Sequence, residues 1–244
     1  MKDKNYDIIS NFERDNWWYK AKRNLFFLLL KKINGCEKKF ESALDLGCGV
    51  GSNFEVLNRF AKNVTGIDSS DNAIRYCKNK EYDKLMKMDA LKMKFKKDSF
   101  DIVLCSDVLE HIDDKKAVGE ISRILKPRGL VIFSVPAHRY LWGPTDAMSN
   151  HLRRYEKKEL LMLFLRDFDI LKMGYWNFTA FFPNFVLTKT LSILKKGEKP
   201  KNTLEFIPKS LNKMLYNIML IENKLFPSTQ FPQGVSIVGV CRKK

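Results

Sequence analysis

Three glycines stand at alternate positions behind an aspartate in Asp45-Leu46-Gly47-Cys48-Gly49-Val50-Gly51, a spacing suited to contact between backbone and ligand. Glycine accepts positive φ and leaves no side chain between the main chain and a bound group. A helical pattern starts directly after the loop at Ser52-Asn53-Phe54, so the amides of a helix N-terminus face whatever the loop holds. A dinucleotide fingerprint needs its third glycine at position 52, which is Ser52 here, and a carboxylate at Asp45 would repel a pyrophosphate. Asp68 follows about twenty residues on, where an acidic side chain accepts hydrogen bonds from both hydroxyls of a ribose. Asp89, before Ala90, is placed to accept from an adenine amino group. Asp107 lies just past a further apolar run, at the edge where open α/β sheets bind ligands. Each aspartate alone also reads as a turn or cap residue; four at successive strand ends read as a site for an adenosine-containing ligand.

A second constellation is suited to proton transfer. The chain's three histidines, His111, His138 and His151, all fall on loops expected at the same edge, and imidazole is the side chain best matched to neutral pH. His151 or His138 is read as a general base, with Asp146 orienting an imidazole or holding a substrate. His111 follows Glu110 and reads either as a pocket residue or as one ordering the start of a helix. Arg153 and Arg154 can bind an acidic group bidentately or pair with a neighbouring acid, and Arg154 is expected to have a structural partner. Trp17, Trp18, Tyr19, Trp142 and Tyr155 can line a pocket, although aromatic residues on an N-terminal helix are more often core.

The elements that must position these groups follow from apolar periodicity. Residues from about Asn16 to Ile33 read as an amphipathic helix covering the first strand. Short apolar runs at Ser42–Leu46, Asn63–Ile67, Lys84–Met88, Phe100–Cys105 and Leu130–Val135 read as strands separated by helix-length segments, which implies a parallel sheet with helices on both faces. A long loop, Pro136 to Tyr155, precedes a helix near Glu156–Arg166 and a strand near Phe168–Tyr175; the last strand is Val235–Val240. Between those two strands lies an insertion, Trp176 to Gln233, with two apolar helical segments around the polar linker Lys195–Lys201. Its first segment, Phe178–Leu194, contains Pro183, Asn184 and Lys189 and falls short of a membrane span. The chain is thus read as one α/β domain: a helical cover (1–40), a core (41–175), a helical insertion (176–233) and a final strand (234–244).

The stretch from Ala43 to Val135 resembles the core of class I S-adenosylmethionine-dependent methyltransferases. The matching pieces are Asp45–Gly51, Gly66-Ile67-Asp68-Ser69, Met88-Asp89-Ala90, Phe100-Asp101-Ile102-Val103, Val108-Leu109-Glu110-His111 and Ile124-Leu125-Lys126-Pro127-Arg128-Gly129. The resemblance implies a Rossmann-like seven-stranded sheet of order 3-2-1-4-5-7-6 with the last strand antiparallel. It also implies S-adenosyl-L-methionine as cofactor, with Asp45, Gly47, Cys48, Gly49, Gly51, Asp68, Ser69, Asp89, Ala90 and Asp107 around it. The flanks resemble one branch of that family, marked by Trp17-Trp18-Tyr19 with Arg23, by Trp142, Asp146 and His151-Leu152-Arg153-Arg154-Tyr155, and by Pro232-Gln233-Gly234. There Tyr19 and Arg23 are placed at the cofactor, Arg23 against its carboxylate. The branch usually has a histidine before the first tryptophan, where this chain has Asn16.

Composition narrows the partners. The net charge of +16 permits RNA, an anionic membrane surface or an acidic substrate, but lysines spread over nearly every expected helix read as solvated faces. The five cysteines form no Cys-x-x-Cys pair, so reduced thiols and no metal site are expected. A polar N-terminus without an apolar run is read as cytoplasmic. The leading expectation is methyl transfer to a hydroxyl or amine of a small-molecule acceptor, such as a sugar or a saccharide- or lipid-linked precursor. An RNA methyltransferase is second, and a non-catalytic nucleotide-binding protein or an NAD oxidoreductase third. The insertion is read as a cap or dimer surface, with peripheral membrane contact as the alternative; a monomer and a homodimer are equally compatible with the sequence.

Overall fold

In a computed structural model, residues 6–34, 39–78, 82, 84–186 and 207–244 are described. The seven strands are β1 (Phe40–Leu46), β2 (Ala61–Asp68), β3 (Lys84–Lys87), β4 (Phe100–Ser106), β5 (Leu125–Pro136), β6 (Phe168–Trp176) and β7 (Ser236–Lys243). They form one sheet of order β3-β2-β1-β4-β5-β7-β6. The first five are parallel, and β7 runs antiparallel between β5 and β6, as the resemblance implies.

Alternation along the strands explains why both faces are covered. Leu44, Leu46, Val103, Cys105, Val131 and Phe133 point to one face. Ala43, Ile102, Leu104 and Ile132, out of phase with them, point to the other. The first face packs on α5 (Asp114–Ile124) and α7 (Lys157–Leu165), and the second on α2 (Trp17–Asn34), α3 (Phe54–Phe60) and α8 (Lys209–Leu225). A sheet buried on both sides needs near-continuous apolar strands, and this is what makes β1, β4 and β5 legible in the sequence.

The cover is larger than periodicity predicts. A further helix, α1 (Tyr6–Asp15), precedes α2. Part of the insertion, 187–206, lies outside the described residues, including the end of the expected segment Phe178–Leu194 and the linker Lys195–Lys201. The rest is tied to the domain. Asn223 on α8 accepts from Trp176 Nε1 (2.8 Å) and donates to Ala21 O (2.7 Å), and the Glu222 carboxylate takes the amides of Phe178 and Thr179 (3.0 and 3.2 Å). The α8 side of the insertion therefore packs on the N-terminal cover. Among the described residues no helix is long and apolar enough to cross a membrane.

Candidate active site

The loop between β1 and α3 has the backbone its glycines allow: φ is +73° at Gly47, +53° at Gly49 and +78° at Gly51. A Cβ at Gly47 would stand 2.5 Å from Val108 Cγ2, so the loop is pressed against the end of β4. A Cβ at Gly49 would meet only a backbone oxygen at 4.0 Å. That open cradle, formed by bare backbone at the C-terminal edge of β1, fits a ligand that needs close main-chain approach.

The aspartates divide their work. Asp68 accepts from the Gly49 amide (3.0 Å) and the Ser70 amide (2.8 Å), which joins the loop to α4 (Asp71–Cys77). Each oxygen keeps a second lone pair for a ligand hydroxyl. Asp89 is exposed and holds the Leu91 amide in a turn (2.8 Å); Ser69 is exposed and Ala90 half-buried at the same rim. Asp45 is the most enclosed of the four. It lies wholly enclosed beneath the loop, one oxygen accepting from the Tyr82 hydroxyl (2.8 Å) and the other without a partner. Burial pushes its carboxyl up to about 7, against the opposing Tyr82 bond.

Asp107 sits just past β4 in the left-handed region, φ +54°. Ser134 Oγ donates to it (2.8 Å), and it pairs with Lys22 of α2. Lys22 is 3% exposed, with Nζ 3.8 Å from the centroid of the Trp18 ring and 5.4 Å from that of Tyr19, so the ammonium is held by a carboxylate and aromatic faces together. Sequence reading missed Lys22. The signal was present, because it lies in phase with Trp17, Ala21, Leu25 and Phe26 on the buried stripe, where an unpaired lysine would be costly. Tyr19 packs beside it, its phenol pushed up by burial. Arg23 donates to the carbonyls of Glu13 and Arg14 (2.9 and 3.0 Å), capping the last turn of α1. Glu13 in turn accepts from Ser52 Oγ of the glycine loop. Arg23 thereby caps α1 and, through Glu13, braces the glycine loop. Trp17 is core, at 6% exposure.

The loop after β5 folds over the β4 end. It contains a 3-10 turn (Arg139–Leu141) and α6 (Pro144–Ser149). Asp146, fully buried, accepts from His151 Nδ1 (2.8 Å), Arg154 Nε (2.9 Å) and the Gly143 amide (2.8 Å). Burial works against the charged form, but the bonds from His151 and Arg154 outweigh it and hold the carboxyl below its usual range. Arg154 also donates to Ala137 O (3.0 Å), the structural partner its position suggests. Arg153 pairs with Asp114 (2.9 Å). Tyr155 is buried, with its hydroxyl 3.0 Å from Leu109 O and 2.9 Å from Asp114 Oδ2, which fastens the loop; together with Arg153 and Arg154 it also lines a cavity between α5 and α7. Trp142 is 43% exposed.

The three histidines separate. His138, 2% exposed, is stacked between Tyr140 and Tyr175 (centroids 4.8 and 4.7 Å), and burial lowers its pKa, with Glu156 opposing. This enclosure packs the imidazole between two phenol rings, away from the surface. His111 and His151 come together, ring centroids 4.9 Å apart and edge to face. Beside them lies Glu110, 0% exposed, with neither carboxylate oxygen hydrogen-bonded and its carboxyl pushed well up by burial and then by Asp107. Glu110 was legible only as part of a motif.

Comparison with known proteins agrees with this geometry. Residues 44–133 match the methyltransferase domain family. The chain is 33% identical over 176 residues to the uncharacterized protein MJ0638 of Methanocaldococcus jannaschii, covering 69% of this chain and 74% of that one. It is 30% identical over 157 residues to a ubiquinone biosynthesis O-methyltransferase of Neisseria meningitidis, covering 55% of this chain and 65% of that one. Among solved structures, the N-methyltransferase NodS of Bradyrhizobium japonicum in complex with S-adenosyl-L-homocysteine has a similar fold, with a TM-score of 0.57 at 14% identity over 94% of this chain and 89% of that one. With its sheet order, glycine cradle and ribose-competent Asp68, the chain belongs to the class I S-adenosylmethionine-dependent methyltransferases.

Proposed function

We propose that the protein transfers a methyl group to a hydroxyl of a small-molecule acceptor bound beside His151. The observation that carries this reading is the 2.8 Å bond from His151 Nδ1 to the buried Asp146 carboxylate. A carboxylate can only accept, so Nδ1 bears the hydrogen and Nε2 of the neutral ring carries a lone pair. An amine acceptor needs no base once neutral, whereas a hydroxyl does.

Bound S-adenosylmethionine supplies an electrophilic sulfonium methyl. On the protein's side, Asp68 and the glycine cradle fix the donor, and the loop over β4 fixes the acceptor, so that alignment replaces diffusion. His151 takes the hydroxyl proton, and Asp146 stabilises the imidazolium that forms. Tyr140 and Trp142, 42% and 43% exposed on the same loop, favour an acceptor with a ring or apolar portion, such as a sugar or a lipid-linked precursor. The N. meningitidis relative, an O-methyltransferase by name, supports oxygen over nitrogen.

The test is a labelled-methyl screen of hydroxyl and amine acceptors with wild-type protein and His151→Ala. Loss of a positioned base should lower transfer to hydroxyls about 10²–10⁴-fold, with S-adenosylhomocysteine affinity unchanged. Undiminished hydroxyl methylation by His151→Ala, or transfer to amines alone, would refute the reading.

A further inference from the structure

We infer that the outer face of α8, with the residues beside it, is a docking surface for a bilayer of anionic lipids. The helix is inverted in its polarity. Its polar side chains face the domain: Glu222 and Asn223 are buried and hydrogen-bonded there, and Asn212 accepts from the Trp17 amide (2.8 Å). Its apolar side chains face away. Leu211, Met214, Ile218, Ile221 and Leu225 recur at intervals of three and four, which aligns them as one seam along the helix. All but the half-buried Ile218 are exposed, Ile221 at 65%. Such a seam normally meets a core; here it is turned outward, at a cost in free energy that a covering partner removes.

The apolar surface continues beyond α8. Thr179 donates to Glu222 through its amide and its hydroxyl (3.2 and 3.1 Å), so the helical residues 181–186 begin beside the C-terminal half of α8. They add Phe182 and Val186, both exposed. Phe181 and Phe185 of the same turns pack on Tyr140 (centroids 6.5 and 6.1 Å), which belongs to the loop that carries His151.

Charge selects the occupant. Lys213 and Lys224, about three turns apart and so on one line of the helix, flank the seam and are exposed. Past its C-terminal end three more lysines converge on the turn 227–230: Lys32 Nζ donates to Pro227 O (2.9 Å), Lys172 Nζ to Thr229 O (2.6 Å) and Lys157 Nζ to Gln230 Oε1 (3.2 Å). The Lys172 ammonium is pushed down by burial and then by Lys157 and Lys32. Among the described residues none of these five lysines is ion-paired, and the only acid on α8 is the buried Glu222. Two copies meeting seam to seam would bring lysines together with nothing to balance them. A layer of lipid phosphates over acyl chains offsets the lysines and takes up the apolar seam at once. Docking of this kind would present a lipid-linked acceptor to the loop of His151, a consequence that rests on the acceptor reading above.

The experiment is co-sedimentation of the full chain with sucrose-loaded vesicles, either phosphatidylcholine alone or phosphatidylcholine with phosphatidylglycerol at about two to one. Binding to the anionic vesicles is expected, weaker as salt is raised, with little binding to phosphatidylcholine alone. Ile221→Glu places a charge in the seam and should weaken binding at least about tenfold. Lys213→Glu with Lys224→Glu should weaken it at least about 25-fold, from about fivefold for each lysine lost at the surface. Lys94→Glu with Lys96→Glu makes the same change of charge around Phe95, which packs on the opposite face of the sheet, and should alter binding less than about threefold. Circular dichroism and S-adenosylhomocysteine affinity should be the same in wild type and every variant. Failure to bind anionic vesicles, or equal losses in the α8 variants and the Lys94 and Lys96 variant, would overturn the surface. So would a dimer in light scattering that Ile221→Glu splits, since a second copy then covers the seam. If the vesicles bind as expected and only water-soluble acceptors are methylated, the surface stands and the lipid-linked acceptor fails.

Discussion

Asp146→Asn is the substitution from which most can be calculated. The carboxylate is 0% exposed and takes three donors: His151 Nδ1 and Arg154 Nε on Oδ1, and the Gly143 amide on Oδ2. Asparagine has one acceptor oxygen and one donor amide. If the oxygen stays with His151 and Arg154, the NH₂ group faces the Gly143 N–H and the N-terminal tie of α6 is lost, costing about 1–2 kcal/mol. If it turns the other way, two donors are left facing a donor. In either case the buried Arg154 guanidinium loses its counter-charge, and breaking such a pair costs about 3–5 kcal/mol. With partial relaxation, the net expectation is about 3–5 kcal/mol. Urea unfolding followed by circular dichroism reads this directly: with a slope of about 2–3 kcal/mol per molar, the midpoint falls by about 1–2.5 M. Arg154→Met in the same chain should restore at least about half of the loss, because the orphaned charge is then gone. A midpoint shift below about 0.3 M, or no recovery in the double variant, would refute the pairing.

Other consequences are open to measurement. Gly47→Ala combines a φ of +73° with a Cβ 2.5 Å from Val108 Cγ2, so about 2–4 kcal/mol of stability should be lost and S-adenosylhomocysteine binding weakened in calorimetry. Asp45 titrates near 7 in the folded protein because it is buried, above about 3.9 in the unfolded chain. The folded state therefore keeps the extra proton, and that contribution is fully present below about pH 4 and lost as pH rises through about 7. The stability of Asp45→Asn relative to wild type should rise across this window by up to about 4 kcal/mol; a pH-independent difference would contradict it. Lys22→Met leaves Asp107 without its ammonium and should cost about 3–5 kcal/mol, most of it recovered in Lys22→Met with Asp107→Asn.

The glycine loop and the central strands are legible because the physics that forms them is local. Alternate glycines demand positive φ, and a sheet buried on both faces demands unbroken apolar runs. Asp68 is readable as a candidate ribose partner for the same reason, since it ends a strand next to that loop. What escaped depends on tertiary closure. Lys22 is one lysine among many until α2 docks and turns it toward Asp107. That Arg23 caps the carbonyls of α1 depends likewise on how α1 docks on α2. His138 and His151 are equivalent on an unstructured loop; only the folding of 139–149 encloses one between Tyr140 and Tyr175 and hands the other to Asp146. Glu110 gave no sign in sequence of being a buried carboxylate without a hydrogen bond.

The central claim, that the glycine cradle and Asp68 hold S-adenosylmethionine, is tested most directly by calorimetric titration of wild type and Asp68→Ala with S-adenosylhomocysteine, with NAD as control. Wild type should bind one S-adenosylhomocysteine per chain and no NAD. Loss of two charge-assisted ribose bonds should weaken binding in Asp68→Ala by at least about 30-fold. Failure of wild type to bind S-adenosylhomocysteine, comparable binding of NAD, or unchanged affinity in Asp68→Ala would contradict the account.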